Sequence, residues 1–462
     1  MARWQERDWQ PNEDLARLVE ISGASYESLA KRVNALAEQA GRPTEYTHTS
    51  VTNWVQRGMI PRAPAPACIA AALGERLGRR VDLSEIGMTR PRRETSMIGL
   101  DFPRSPSDAV RGAIAFWRLV DLDRRKLLRG SFAVGAFALP TTRWLAVPAA
   151  AAAPRAEHHG ARRVGQNELA ELWDAVEEAR VMDSRFGGGS WKASSVATCL
   201  KDRAAPMLQG SYSEKIGRDL LRVTAELSRV VGWSAFDAGQ HDAAQRYLIQ
   251  ALAMARAASD VQVGAYVLST MSLSAFLRGH PGEAVDMAEG AYERAKHVAS
   301  PKVLSFAKLA QARAHARAGE GPEATAALLA AERHLAGATG DDPAWMNYYT
   351  PERIATDATE IHRDLGATAA ALDWGRQAAA MSPGRYTRAV GIRLAVEGST
   401  HLRAGDREQG LDAGRRSVDL LAEVRSARAH GYVHDLTATL APHRSDPEVD
   451  AFIAYAERQL AA

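Results

Sequence analysis

Gly239, Gly279 and Gly319 stand 40 residues apart, and the small residues around them keep the same step. Five residues after each glycine comes an alanine (Ala244, Ala284, Ala324), and seven beyond that another (Ala251, Ala291, Ala331). Self-similarity at a fixed period of about 20–50 residues is the signature of a stacked array, whose units cannot bury their apolar faces alone. In LSRVVGWSAFDAGQHDAAQRYLIQALAMAR (227–256) apolar and small residues recur every three or four positions, with one break at AGQHD. That spacing predicts two helices, the first closed by Gly239 and the second starting near Asp242. The small residues fall where two antiparallel helices touch. Weaker copies follow at Gly366, Ala371 and Ala378, then at Gly405, Gly410 and Ser417. A proline-marked insertion, GATGDDPAWMNYYTPER, separates the third and fourth units. The competing reading is a plain helical bundle with coincidental glycines.

A chain of 462 residues is too long for one core and predicts two to three domains. Alanine, arginine and leucine are abundant and strand-like alternation is nearly absent, so the fold class is all-α. The balance of 58 basic and 55 acidic residues does not by itself imply nucleic acid; local patterning has to carry any such case. Cys68 and Cys199 are far apart and read as reduced thiols of a cytoplasmic protein. The polar start, MARWQERDWQPNED, predicts no amino-terminal export leader.

Along the chain, a short helix is expected over residues 15–21, and Ser25 caps a longer one, SYESLAKRVNALAEQAG. Its inner face carries Leu29, Ala30, Val33, Leu36 and Ala37. After GRPTEY comes THTSVTNWVQRG, a helix capped by Thr47 and stopped by Gly58, with Val51 and Trp54 facing inward. A further helix, ACIAAALGERLG, follows. Residues 89–165 shift to Pro, Arg and Ala: an ordered piece at MIGLDF, a helix over 107–122, then DRRKLLRGSFAVGAFALPTTRWLAVPAAAAAP. Arg124–Arg125 followed by an apolar stretch imitates a twin-arginine export signal. The run from Phe132 to Leu139 is far short of the roughly 20 residues a membrane-spanning helix needs, and Pro140 breaks it. A linker helix docked on one of the domains is the favoured reading. From Gln166 the chain is helical to its end, the first helix stopping at Gly187–Gly189.

Leu-Ala-x-x-Val on one helix and Val-x-x-Trp on the next resemble helix-turn-helix DNA-binding domains. In that resemblance TSVTNWVQRG is the recognition helix. His48, Thr49, Ser50, Thr52, Asn53 and Arg57 then point outward, with side chains suited to base edges and phosphates, while Lys31, Arg32 and Arg62 approach the backbone. The 13 residues between Val33 and Thr47 exceed the family's tight turn and leave the docking angle open. Basic residues also cluster at Arg79, Arg80, Arg90, Arg92 and Arg93. A protein-contact domain that reads no base is the alternative.

The repeats resemble the tetratricopeptide pattern. Gly232, Ala244, Leu248 and Ala251 hold its signature places in the first unit. Ser272, Ala284, Ala288 and Ala291 hold them in the second, and Ala312, Ala324, Leu328 and Ala331 in the third. The usual unit has about 34 residues, so these carry longer helices or links. Such arrays offer a concave groove lined by the first helix of each hairpin. Its candidate residues are Tyr266, Arg313, Tyr348, Tyr349, Arg353 and Arg388, of the types that carry binding energy.

No catalytic set stands out. His158–His159 sit in the Ala-rich stretch. His430 and His434 share an i, i+4 spacing but lack the remaining partners of a zinc site. No GxSxG occurs. Gly187–Gly189 has neither a preceding strand nor a following Lys-Ser/Thr, so it reads as a helix terminator with a mobile turn. A non-enzyme without cofactor or metal is expected.

Taken together, these parts resemble actinobacterial regulators that join a helix-turn-helix head to a tetratricopeptide domain. The RRKLLRG segment is part of that likeness. The resemblance implies a head over 1–89, an Arg/Pro/Ala-rich linker with a short helix over 90–165, and a helical solenoid over 166–462. It implies a transcriptional regulator that binds double-stranded DNA, with the repeats making a homodimer or sensing a peptide or protein, and no membrane partner. The alternatives are a non-catalytic scaffold whose head never touches DNA, and an exported repeat protein.

Overall fold

A computed structural model describes residues 11–62, 64–79, 81–83, 85–88, 98–122, 131–146, 163–189 and 196–461. Twenty α-helices and no strand occur among the described residues, with one isolated bridge between Arg163 and Ser211. The chain is all-α, and it divides into two compact units, Met1–Met97 and Ile98–Ala462.

The first unit holds α1 (Glu13–Ile21), α2 (Tyr26–Gln39), α3 (His48–Gln56) and α4 (Ala65–Leu77). Asn12 accepts from the Leu15 amide at 3.0 Å and donates to the Ile86 carbonyl, so one side chain both caps α1 and ties the end of the unit back to its start. Ser25 caps α2, and Gly78, in the left-handed region at φ +66°, ends α4. Leu15, Leu29, Val33, Val51, Ile69 and Leu73 form the buried core with Trp54. The long connection before α3 has a physical cause. Asn34 on α2 donates to the Tyr46 carbonyl, while its own carbonyl oxygen accepts from the Thr44 hydroxyl and the Tyr46 amide, all at 2.9 Å. One half-buried amide thus replaces a tight turn.

The second unit begins with α5 (Pro106–Leu122), α6 (Ala138–Ala146) and α7 (Gln166–Phe186). A π-helical turn (Leu200–Ala204) runs into the one-turn α8 (Ala205–Leu208). Five hairpins follow: α9 (Glu214–Asp237) with α10 (His241–Ala257), α11 (Val261–Leu277) with α12 (Pro281–Ala295), and α13 (Pro301–Ala318) with α14 (Gly321–Ala336). The last two are α15 (Pro351–Asp364) with α16 (Thr368–Ala378) and α17 (Pro383–Arg403) with α18 (Arg407–Leu421). Helices α19 (Ala427–Leu440) and α20 (Pro447–Leu460) close the chain. Gly239, Gly279, Gly319, Gly366 and Gly405 all take φ between +73° and +84° at the hairpin turns. A Cβ is disfavoured there, which is why the glycine period survives where other positions drift.

The periodic alanines, Ala244 to Ala331, are buried between paired helices. A Cβ on Gly232 would lie 3.1 Å from Leu248, so the first hairpin needs glycine for its approach. Other hairpins replace that contact with a hydrogen bond: Ser272 donates to the Ala284 carbonyl at 2.7 Å and Ser417 to the Gly391 carbonyl at 2.7 Å.

Two features add to the expected layout. First, the described parts of residues 98–146 pack into the second unit, in line with the favoured reading of a docked linker helix. The Arg246 guanidinium donates to the Ile98 carbonyl, Gln250 to the Gly99 carbonyl at 2.8 Å, and Arg143 to the Phe102 carbonyl. Phe116 packs edge-on against Tyr247, and Phe137 and Trp144 are buried in the same core. Trp144 lies against Gly264, where a Cβ could not fit, and beneath Arg294. The apolar segment that imitates an export signal is therefore a strap on the hairpins. Arg124 and Arg125, and with them His158 and His159, lie outside the described residues.

Second, the array closes on itself. α7 packs on both α9 and α17, and Gly187–Gly189 is pinned rather than mobile. The Gly189 amide donates to the Arg425 carbonyl at 2.8 Å, the Arg425 amide to the Phe186 carbonyl at 2.9 Å, and the Gly188 amide to the Asp237 carboxylate at 3.0 Å. A Cβ on Gly187 would sit 2.5 Å from the Arg425 carbonyl oxygen, and one on Gly188 would collide with the Ser234 carbonyl. The glycines end α7 as expected and also let two backbones meet.

Candidate functional site

Two sites can be built from these elements. On the first unit, α3 presents His48, Thr49, Ser50, Thr52 and Asn53 from a helix whose opposite face buries Val51, Trp54 and Val55. His48 and Thr49 are exposed, and Ser50, Thr52 and Asn53 half-buried. Two of these side chains are partly used locally. Ser50 accepts from the Thr47 amide at 3.2 Å, and Thr52 donates to the His48 carbonyl at 3.0 Å. The His48 ring leans on Tyr26, centroids 5.4 Å apart. Arg57 and Arg62 are exposed beyond the helix end.

Arg32 is differently employed from expectation. Its guanidinium makes a bidentate pair with Glu75 at 2.7 Å, bridging α2 to α4. Lys31 pairs with Glu27 at 2.8 Å on the exposed face of α2. Both pairs are solvent-exposed, and each carboxylate sits below its ordinary pKa because of the hydrogen bond it accepts. Of the basic residues after the core helices, Arg79 pairs with Glu85 at 2.8 Å, and Arg80, Arg90, Arg92 and Arg93 lie outside the described residues.

The second site is a cavity of about 110 Å3 inside the closed array. Its walls come from α7 and the first helices of the hairpins, with Arg428 of α19. Tyr266, Arg313, Tyr348, Arg353 and Arg388 line it. Tyr349 does not: it is fully buried behind the wall, its hydroxyl 3.0 Å from the Ser305 hydroxyl. Sequence reasoning missed Arg180, Asp183, Arg229, Asp357, Glu360 and Arg393, which also line it. The available signal was charge at positions whose neighbours on either side are apolar, as in AELSRVVGW around Glu226 and Arg229.

Charge organises the walls. Glu226 is fully buried and takes Arg229 through two 2.8 Å bonds and Arg180 through one of 2.6 Å. Asp237 sits 2.8 Å from Arg388 and 3.0 Å from Arg428. Arg388 also reaches Asp183 at 2.5 Å, so it spans α17, α7 and α9. Arg313 joins Asp357 at 2.9 Å and Glu360 at 2.5 Å, and Arg353 joins Asp357 at 3.0 Å. Tyr432 donates to Glu360 at 2.6 Å.

Burial alone would raise the carboxyl pKa values. At Glu226 the Arg229 and Arg180 charges outweigh burial and hold the group low. At Glu360 Arg313, Arg363 and Arg317 do so, and at Asp237 Arg388, Arg428 and the Gly188 amide. These three carboxylates stay charged near neutrality, so they are poor general acids and good anchors for guanidinium groups. Burial, followed by the Glu360 charge, pushes the Tyr432 phenol up to about 12.

Arginine faces also stack on rings: Arg229 over Tyr266 at 4.3 Å, Arg428 over Trp233 at 5.3 Å and Arg180 over Tyr348 at 5.5 Å. The Tyr266 and Tyr348 hydroxyls are 2.6 Å apart. The result is a preorganised, charged and aromatic cavity suited to binding.

Other sequence candidates stay apart from both sites. His430 lies 3.3 Å from the Leu421 carbonyl and His434 is exposed; among the described residues no group of three or more His, Cys, Asp or Glu is placed to hold a metal. Cys68 and Cys199 are free thiols, pushed up in pKa by burial. No described helix is long and apolar enough to cross a membrane.

Comparison with known proteins bears on the head alone. The family described as the SP15 N-terminal domain matches residues 15–89, which span all four helices of the first unit but α1's first two residues. No curated protein matches the chain.

Proposed function

We propose that this chain is a DNA-binding transcriptional regulator whose hairpin domain senses a ligand or a partner. The observation that carries the reading is α3, a short helix that buries one face and turns a row of short polar side chains outward. Ser, Thr and Asn at a helix's first turns reach base edges in a major groove about 12 Å wide, and Arg57 and Arg62 stand beyond its end for phosphates. The cavity supports the sensing half, because its arginines and rings are held in place by buried ion pairs and ring contacts. A cytoplasmic location goes with this reading, as does a homodimer that spaces two heads about 34–36 Å apart on the duplex.

A non-catalytic scaffold is favoured by one observation: Arg32 and Lys31 are already paired with Glu75 and Glu27, which leaves fewer cations for phosphate. Genome-wide recovery of DNA crosslinked to the full-length chain, followed by gel-shift titration at two salt concentrations, separates the two. The regulator reading expects one recurring sequence, with Asn53→Ala or Thr49→Ala weakening specific binding by about 1–3 kcal/mol. Random recovery, with binding that vanishes as salt rises, would leave the scaffold.

A further inference from the structure

We propose that the cavity binds a small phosphate-bearing molecule with a planar ring, of nucleotide size. The inference deepens the sensing role just given to the hairpin domain and rests on that reading only for its biological use.

The argument starts from charge. Among the described residues, nine guanidiniums take part in the cavity's pairing network, counting Arg317 and Arg363 behind Glu360. Seven carboxylates answer them within that network: Asp183, Asp357 and Glu360 line the cavity, and Glu226, Asp237, Asp364 and Glu397 lie behind the lining. Glu177 is left aside, because it meets Arg180 from the outer surface with 56% of its side chain exposed. The surplus of two positive charges matches one terminal phosphate, about −2 at neutral pH. A single carboxylate would cancel half of it.

Donor geometry gives a second, independent reason. Arg229 spends Nε and Nη2 on Glu226, and Arg353 spends the same atoms on Asp357. The remaining edge of each planar guanidinium faces no acceptor among the described residues. Arg180 and Arg393 each bury an Nε without a partner. Buried donors left unsatisfied are costly, and guanidinium forks meet phosphate oxygens two at a time. The ring requirement comes from Trp233, Tyr348 and Phe306, aromatic side chains in the same cavity. Closure of the array by the glycine contacts at Arg425 argues for compact size: a long helix or a folded partner has no through-going groove to occupy.

The test titrates full-length protein, without DNA, with adenosine and guanosine diphosphates, inorganic pyrophosphate and the tripeptide Glu-Glu-Phe. Thermal unfolding is followed together with tryptophan emission, which Trp233 would report. Expected is a concentration-dependent rise in the unfolding midpoint with at least one nucleoside diphosphate. Arg353→Gln should weaken that binding about tenfold or more. Arg353 is half-buried and pairs only with Asp357, so the unliganded variant should melt close to the parent. If the variant fails to fold, competition of pyrophosphate against the nucleotide in the parent protein still reads whether the anion is held in the cavity. Equal affinity for pyrophosphate and nucleotide would overturn the ring requirement. Binding of the tripeptide alone, or of no probe, would overturn the proposal. Because no DNA is present, failure here and failure of the gel shift are separate results.

Discussion

The two units use opposite materials in their interiors. The head buries Leu, Val, Ile and Trp and keeps its ion pairs on the surface, where Arg32–Glu75 leaves both side chains more than 40% exposed. The hairpin domain buries ion pairs as well as apolar groups: Arg229, Glu226, Arg313, Glu360, Arg388 and Asp237 are all 8% exposed or less. Exposed pairs contribute about 0–1 kcal/mol, whereas removing one partner of a buried pair costs about 3–5 kcal/mol. Taking charges out of water is expensive, and an apolar replacement of the same volume is often as stable. The comparison teaches that the head's interior is stabilised by apolar burial alone, while the hairpin domain's interior also depends on keeping buried charges paired.

The sharpest way to break the comparison is Asp237→Ala, which strands Arg428 and leaves Arg388 with Asp183 alone. It should cost about 3–5 kcal/mol in urea denaturation of the hairpin domain. A loss below about 1 kcal/mol would mean the buried network is no different from the head's surface pairs.

Gly188→Ala comes next. Its Cβ would collide with Ser234, so α7 must shift from α9, at a cost of about 1–3 kcal/mol. A neutral result would show that the array's closure is not strained by a methyl group there.

A pH series sharpens the contrast without any loss of charge partner. His241, at the first position of α10 and tilted against Phe236, is held down to about 4 by burial and the nearby Arg278. Its unfolded value is 6.5. The unfolded chain therefore takes up this proton first, and stability present above pH 6.5 is lost as pH falls towards 4. Glu226 and Asp237, depressed in the folded state, add loss below their ordinary carboxyl range. Melting temperatures from pH 7 to 5 should fall in the parent and stay flatter in His241→Phe; identical slopes would remove His241 from the account.

The smallest effect is expected for Arg32→Ala in the head, whose denaturation curve should overlay the parent's because solvent screens the pair. A loss as large as that of Asp237→Ala would place a structural charge in the head and blur the distinction.

How much of this was legible follows from how local each cause is. A left-handed hairpin turn is decided by the glycine itself, so Gly239, Gly279 and Gly319 announce three hairpins, and Gly366 and Gly405 announce two more with less help from their neighbours. The capping of α2 by Ser25 and the burial of Val51 and Trp54 on one face of α3 are equally local. Five of the six expected cavity residues do line one cavity, because arginine and tyrosine on the inner helices had no other surface to face. Tyr349 went the other way, into the core beside Ser305.

The sequence by itself determined the helices, the hairpin turns and which small residues touch, because each depends on neighbours within a few residues or one repeat. Only the tertiary structure decided which unit the described parts of residues 98–146 dock on, that Gly187–Gly189 joins Arg425, and that Arg388 meets Asp183 across 205 positions of chain. Those outcomes depend on how much each stacked hairpin rotates relative to the last.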